Sequence, residues 1–498
     1  MKFKKILIAC MSISMVACSI ETVDQSALDP ATALNTVAGV QSAVLSTYRR
    51  VWEFNLYGQQ INIHGDAFAD NVEIVNRTGR YEQEVVNGIG VFANRWGAQT
   101  GFGEGCYGIV KDANYVLDFL PQLNLATVPS SLTVTSQNVI DHLAGEAKFL
   151  RALAFFEIAR VYGYEPGREV NGFNLGAVIR TTATLAVSDA APKARSTNLE
   201  TYQQIEKDLQ EAFTGMLPAS ALAIPAPSGW PAALGANTFP YRATKAAAAA
   251  LLAKVYLYWG RYADADAQAT AALGLVPTPL PVNAAGYVAS FASTPHPESI
   301  FEAEIRPTDF SGVDGPNNSM NSVTTNLLGG SQYVVAASPE LIAAHEVGDI
   351  RRTVYVTTAA TLSKPQTRKW PGEKGAFVEN IPIMRRSELY LIQAESRART
   401  NNDAGAQTAI NVLRTNRGLT ATALTGQQLI DLIMNERRVE LAFEGHRFFD
   451  LKRLGLPITK PAATNTSPLQ PNDFRLLQQI PFDQITLSRG LLLQNPGY

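Results

Sequence analysis

The sequence predicts a mostly α-helical protein, in which tandem helical pairs form a scaffold and irregular, loop-rich segments form a second lobe. Three observations predict it. Apolar residues recur at spacings of three and four through several long segments, Gly or Asn punctuates the ends of those segments, and stretches rich in Gly, Pro and Asn lie between them.

The chain opens with Lys2, Lys4 and Lys5, followed by an apolar run from Ile6 to Val16 that is too short to span a bilayer core of roughly 30 Å. That combination reads as an export signal, residues 1–17. Met15-Val16-Ala17-Cys18 has the pattern of a lipobox, which predicts cleavage before Cys18 and lipidation of its side chain. Residues 18–30 are polar and read as a lipidated tether, so the membrane is met through the N-terminal lipid and the body, residues 31–498, stays in water.

Within the body, Gly145 to Gly163 carries a stripe of Ala147, Leu150, Ala154, Ile158 and Val161, and Gly163 with Pro166 stops the helix. A second helix from Thr244 to Trp259 turns at Gly260-Arg261-Tyr262 and resumes from Ala263 to Leu273. Its alanines permit close helix approach, and Tyr256, Tyr262 and Ala265 echo the small and aromatic positions of tetratricopeptide repeats. A third pair runs from Arg386 to Arg399 and from Ala404 to Asn416, with Asn401-Asn402 between them. Each of these is a candidate for a recurring unit of long helix, tight turn and second helix, and because no hairpin covers its own apolar stripe, the pairs are expected to stack on one another. The inserts around 50–110, 220–240 and 275–335 do not fit that unit; Ile224 to Gly235, with Trp230, is one of them, and Val276 to Pro297 and Pro307 to Gly330 are others.

The C-terminal region, 425–498, holds the most distinctive stretch. Asn435-Glu-Arg-Arg-Val-Glu-Leu-Ala-Phe-Glu-Gly-His-Arg-Phe-Phe-Asp-Leu451 sets both signs of charge against Leu429, Ile433, Val439, Leu441 and Phe443, and predicts one amphipathic helix continuing through Gly445, opened by a capping box of Thr425 and Gln428. So many charges beside large apolar groups suggest Arg forks on carboxylates that brace the packing, not a catalytic acid and base. This stretch resembles the C-terminal signature of the SusD/RagB-like outer-membrane lipoproteins. Tyr107-Gly-Ile-Val-Lys-Asp-Ala-Asn114, the Gly145 helix and the closing Gln494-Asn-Pro-Gly-Tyr498 resemble the same family. The resemblance implies a tetratricopeptide-type scaffold, a lipid-anchored protein at the outer membrane, facing the cell surface, and capture of an oligosaccharide or peptide for a SusC-like TonB-dependent transporter.

Composition narrows the chemistry. Cys10 leaves with the signal and Cys18 is lipidated, so Cys106 has no partner for an internal disulfide and is expected to be a partly buried, inert thiol. A net charge of −2 gives no reason to expect nucleic acid. The sequence contains no phosphate loop, nucleophile elbow or His-Glu-x-x-His helix, and its five histidines are scattered; no catalytic residue, cofactor or metal is expected. The alternative is an exported glycan-processing enzyme on the same scaffold, since paired carboxylates of a glycosidase can be far apart in sequence.

Capture of a sugar or peptide favours aromatic faces flanked by Asn, Asp, Arg and Gln. Two neighbourhoods offer them. One runs from His64 to Trp96 and contains Asp70, Asn71, Arg80, Tyr81 and Trp96; the other runs from Phe310 to Tyr333 and contains Phe310, Asn317, Asn321 and Gln332, and Trp230 could join either. Trp52 and Trp259 are expected to pack in the scaffold.

Overall fold

The computed structural model describes residues 30–76, 79–86, 105–124, 126, 136–217, 240–277, 280–307, 318–358 and 364–498. The export signal, Cys18 and the tether as far as Asp29 lie outside these residues, as do Trp96, Trp230, Phe310 and Asn317.

Among the described residues, the frame is built from α1 (Val37–Val51), α2 (Gln60–Ala67), α3 (Gly105–Phe119), α4 (Ser136–Tyr162), α5 (Asn198–Gly215), α6 (Lys245–Trp259), α7 (Tyr262–Gly274), α8 (Arg386–Arg399), α9 (Asp403–Asn416), α10 (Gly426–Glu440) and α11 (Arg447–Arg453). From α3 to α9 each helix packs on the next, which is the stacking that uncovered apolar stripes demand. The small residues explain the tightness. Ala246 to Ala250 are all buried in α6, so neighbouring helices approach it from several sides. Gly260 then ends α6 with φ +75, a left-handed turn that glycine adopts without a steric penalty, and α7 folds back.

Among the described residues, six short strands make three two-stranded antiparallel pairs. They are β1 (Val72–Ile74) with β3 (Val335–Ala337), β2 (Ser299–Ala303) with β6 (Ile381–Arg385), and β4 (Tyr355–Val356) with β5 (Gln366–Thr367). The β2 pair lies in the core, where Phe301 meets Phe149 edge-on at 5.1 Å and Tyr48 at 6.0 Å. Trp52 is buried, and Trp259 packs partly buried against the ring of Tyr202 at 5.6 Å. Cys106 is fully buried and unbonded to sulfur.

Three local expectations are corrected. The Gly145 segment does stop at Tyr162, but its partner α5 begins only at Asn198, after a long connection, so this pair has no tight turn. The signature helix α10 ends at Glu440 and does not run through Gly445; Phe443 at φ +65 and Gly445 at φ +78 turn the chain into a separate α11. Thr425 does sit at the N-cap of α10, yet its side chain makes no capping bond.

The signature charges brace the core. The Glu440 carboxylate accepts from Arg417 Nη2 at 2.9 Å and from Arg385 Nη1 at 3.1 Å, and all three side chains are essentially excluded from water. Burial alone would raise the Glu440 pKa, but the Arg417 and Arg385 charges outweigh it and hold the group well below the usual range. Lys369 Nζ completes the cluster, donating to the carbonyls of Glu440 at 2.7 Å and Ala442 at 2.9 Å and to Glu444 Oε1 at 2.6 Å. These groups hold the turn after α10 where the backbone has no ladder of its own.

Candidate functional site

The two neighbourhoods picked out by composition meet in space. Pairing of β1 with β3 sets Val72 opposite Ala337 and Ile74 opposite Val335, and Val75 N continues the ladder to Val334 O at 2.8 Å. Beyond the ladder, Asn76 Nδ2 donates to the carbonyls of Gln332 at 2.9 Å and Tyr333 at 3.1 Å. Arg80 Nη1 donates to Gln332 Oε1 at 3.0 Å, and its other terminal nitrogen donates to Gln59 Oε1. Gln59 in turn donates to Ser319 O at 3.0 Å, so one polar chain ties both inserts together.

Around this chain lies a half-exposed surface. The Arg80 guanidinium stands 5.8 Å from the ring centres of Phe54 and Tyr81. On the other side, Gly329 and Gly330, at φ +72 and +70, turn the chain and leave Leu327 and Leu328 exposed. A methyl on Gly330 would touch the ring of Phe377 at 3.8 Å, and one on Gly372 would press on Leu328 at 2.7 Å, so the 372–377 loop forms the neighbouring wall. The result is a face with fixed polar donors and acceptors beside aromatic and apolar edges, the chemistry that holds a polyhydroxylated ligand by orientation and contact.

The candidate residues fall into separate environments. Arg80 is at the centre of this face and partly open to solvent. Tyr81 is buried beneath it, donating to Gln59 Oε1 with a backbone φ of +61. Asp70 and Asn71 are buried and occupied elsewhere: Asp70 accepts Arg447 Nε at 2.8 Å, Arg447 Nη2 at 3.1 Å and Thr459 Oγ1 at 2.8 Å. Asn71 Oδ1 accepts Arg438 Nε at 2.9 Å. Burial would raise the Asp70 pKa, but the Arg447 bond and charge, with Arg438 behind them, hold it below the usual carboxylate range. These bonds anchor the end of α2, and through it β1, on the signature segment. Phe54, Gln59 and Phe377 complete the face but were not selected by sequence, because each sits singly in a segment without periodic or motif context.

Nearby Asp66 accepts Asn71 Nδ2 and Gly445 N, and burial still pushes its pKa up to about 7. Among the described residues, no group of three or more His, Cys, Asp or Glu side chains is arranged to hold a metal ion.

Helical pairs with a polar and aromatic face on their inserts give the architecture, and the signature segment lies in its core. Comparison with known proteins gives the family. Residues 363–498 match the SusD family model, and residues 75–257 match the model described as starch-binding, associating with the outer membrane. Over an alignment of 561 residues that covers all of both chains, the sequence is 23% identical to SusD-like protein P2 of Formosa agariphila. A SusD superfamily protein from Bacteroides thetaiotaomicron superposes with a TM-score of 0.74 at 22% identity, covering 93% of this chain and 100% of the other. A laminarin-binding SusD-like protein superposes with a TM-score of 0.66 at 21% identity, covering 92% of this chain and 99% of the other. The chain belongs to the SusD/RagB-like family.

Proposed function

We propose that this protein binds an oligosaccharide on the face centred on Arg80 and Gln332 and delivers it, unchanged, to a SusC-like TonB-dependent transporter at the outer membrane. The observation that carries the reading is the Arg80 to Gln332 bond, which joins two inserts 252 residues apart into one surface of mixed polar and aromatic character. Family membership supports carbohydrate as the ligand class and the outer membrane as its place, and a relative of the same fold is named for binding laminarin. Peptide is the second ligand class to test. In this reading Cys18 carries the lipid, the tether spaces the body from the bilayer at the cell surface, and Trp96, Trp230, Phe310 and Asn317 add stacking and polar contacts to the same face. No covalent chemistry is assigned to the site.

Calorimetric titration of the purified protein against panels of neutral oligosaccharides and peptides tests the ligand. Arg80→Ala and Trp96→Ala are each expected to weaken oligosaccharide binding about tenfold, a loss of about 1.4 kcal/mol, with little change in melting temperature. Full affinity in both well-folded variants sinks the assignment of this face, and turnover of the bound sugar by the wild type moves the protein to the enzyme reading.

A further inference from the structure

A second concave surface lies apart from the Arg80 face, between α3, the loop 178–193 and the short helix Phe482–Leu487. It encloses about 320 Å³, with Val110, Leu487 and Leu492 as apolar wall and Lys111, Arg180 and Lys193 as its charged lining; no Asp or Glu is among the described residues that line it. Two of these cations, Arg180 and Lys193, are held in place by backbone carbonyls. Arg180 donates to the carbonyls of Asp189, at 3.1 Å, and Ala191, and Lys193 Nζ donates to Ile179 O at 2.8 Å; among the described residues neither forms an ion pair. Of the acids on the adjoining segments, Asp483 is exposed on the rim helix and accepts Gln484 Nε2 at 3.2 Å, while three others are engaged away from the two cations. Asp189 accepts Leu185 N at 3.0 Å and Ala186 N at 2.8 Å, Asp118 accepts Ala183 N at 2.6 Å, and Asp112 pairs with Arg50.

The rim is unusually apolar for a water-facing edge. No residue of the helix Phe482–Leu487 is buried, Phe482 is 75% and Leu487 69% exposed, and Leu185 on the facing loop is 60% exposed. Leu491 and Leu493 follow on the same strand of chain, also exposed. Large apolar side chains grouped beside a groove mark a protein contact; Phe482 supplies one ring, but the leucines that predominate offer a sugar neither a ring face nor a hydrogen bond. Positive lining then selects the sign of what enters.

We propose that this groove docks an acidic segment of a partner protein, which seats a large apolar side chain against Leu487 and Leu492 and sets carboxylates against Arg180 and Lys193. The chemistry is independent of the oligosaccharide reading. Fluorescence polarisation of the full mature chain with a labelled peptide, a Leu-Phe pair flanked by glutamates, provides the test; a second peptide has lysines in place of the glutamates, and oligoglucuronate serves as competitor. Expected is saturable binding of the acidic peptide only, weakened about tenfold or more by Lys193→Glu and by Leu487→Asp, both exposed positions, at unchanged melting temperature. Arg80→Ala should leave it untouched, which separates failure here from failure of the oligosaccharide site. Absence of saturation at millimolar peptide, equal affinity in both groove variants, or displacement of the peptide by oligoglucuronate with loss of that displacement in Lys193→Glu would each overturn the proposal, the last by making the groove an acidic-sugar subsite.

Discussion

Gly65 in α2 and Gly445 in the turn before α11 meet backbone to backbone: a methyl group built on Gly65 would lie 2.3 Å from Gly445 O, and one on Gly445 would lie 2.3 Å from Ile61 O. The contact lets the signature turn sit directly on the helix that carries Asp66 and leads into β1.

Gly445→Ala is therefore expected to lose stability on two counts. Its φ of +78 strains any L side chain, and the methyl meets main-chain atoms that cannot swing aside. Together these cost about 2 to 4 kcal/mol. Urea unfolding measures it, and a change under about 0.5 kcal/mol would contradict the close approach.

Arg438→Ala should act on stability, not on the ligand. It leaves Asn71 Oδ1 without its 2.9 Å donor and removes a charge 3.3 Å from the Asp70 carboxylate. A loss of about 1 to 3 kcal/mol follows from leaving buried acceptors unmatched. If melting were unaffected while oligosaccharide affinity collapsed, the bracing role would be wrong.

Glu379 gives a pH-dependent prediction. Its Oε1 accepts Asn321 N at 2.7 Å, Oε2 has no hydrogen-bond partner among the described residues, and burial pushes the pKa up to about 8 from 4.5. A carboxyl raised on folding stabilises the protein fully below its unfolded pKa and loses that contribution as pH rises through the folded one. Glu379→Gln, which never ionises, should gain on wild type by about 1.4 kcal/mol per pH unit at most between pH 4.5 and 8, and level off above. Parallel melts at pH 5 and pH 8 that show an equal difference would rule this out.

If Cys18 carries the whole anchor, as proposed, Cys18→Ser should abolish acyl labelling and release a folded protein from the membrane fraction. Labelled palmitate incorporated into the variant would remove the lipobox assignment.

The helical scaffold was readable where a period repeats. Arg386 to Arg399 is a helix between the residues that periodicity indicated, because apolar spacing and flanking Asn residues agree. The signature was readable as a brace but not as a shape. Its helix stops at Glu440 because Arg385, Arg417 and Lys369, all distant in sequence, capture the carboxylates and carbonyls that follow. Composition also could not sort Arg80 from Asp70. Both looked like surface polar residues beside aromatics, and the Arg447 that buries Asp70 lies 377 residues away. Phe377 escaped notice because a lone aromatic at φ +65 in a turn leaves no pattern.

The same long separations set a kinetic condition on the binding face. Ile74 finds Val335, and Gly65 finds Gly445, only by closing loops that span most of the chain, and such closures come late because their entropy must be met before any contact is gained. A refolding chain has α3 to α7 available to stack early, neighbour on neighbour, but not the candidate face. The candidate face can close through its own bonds before the signature segment docks, but its support from beneath is complete only when that segment is in place, so a chain truncated before Gly445 would carry the face without the contacts at Gly65 and Asp70 that brace it.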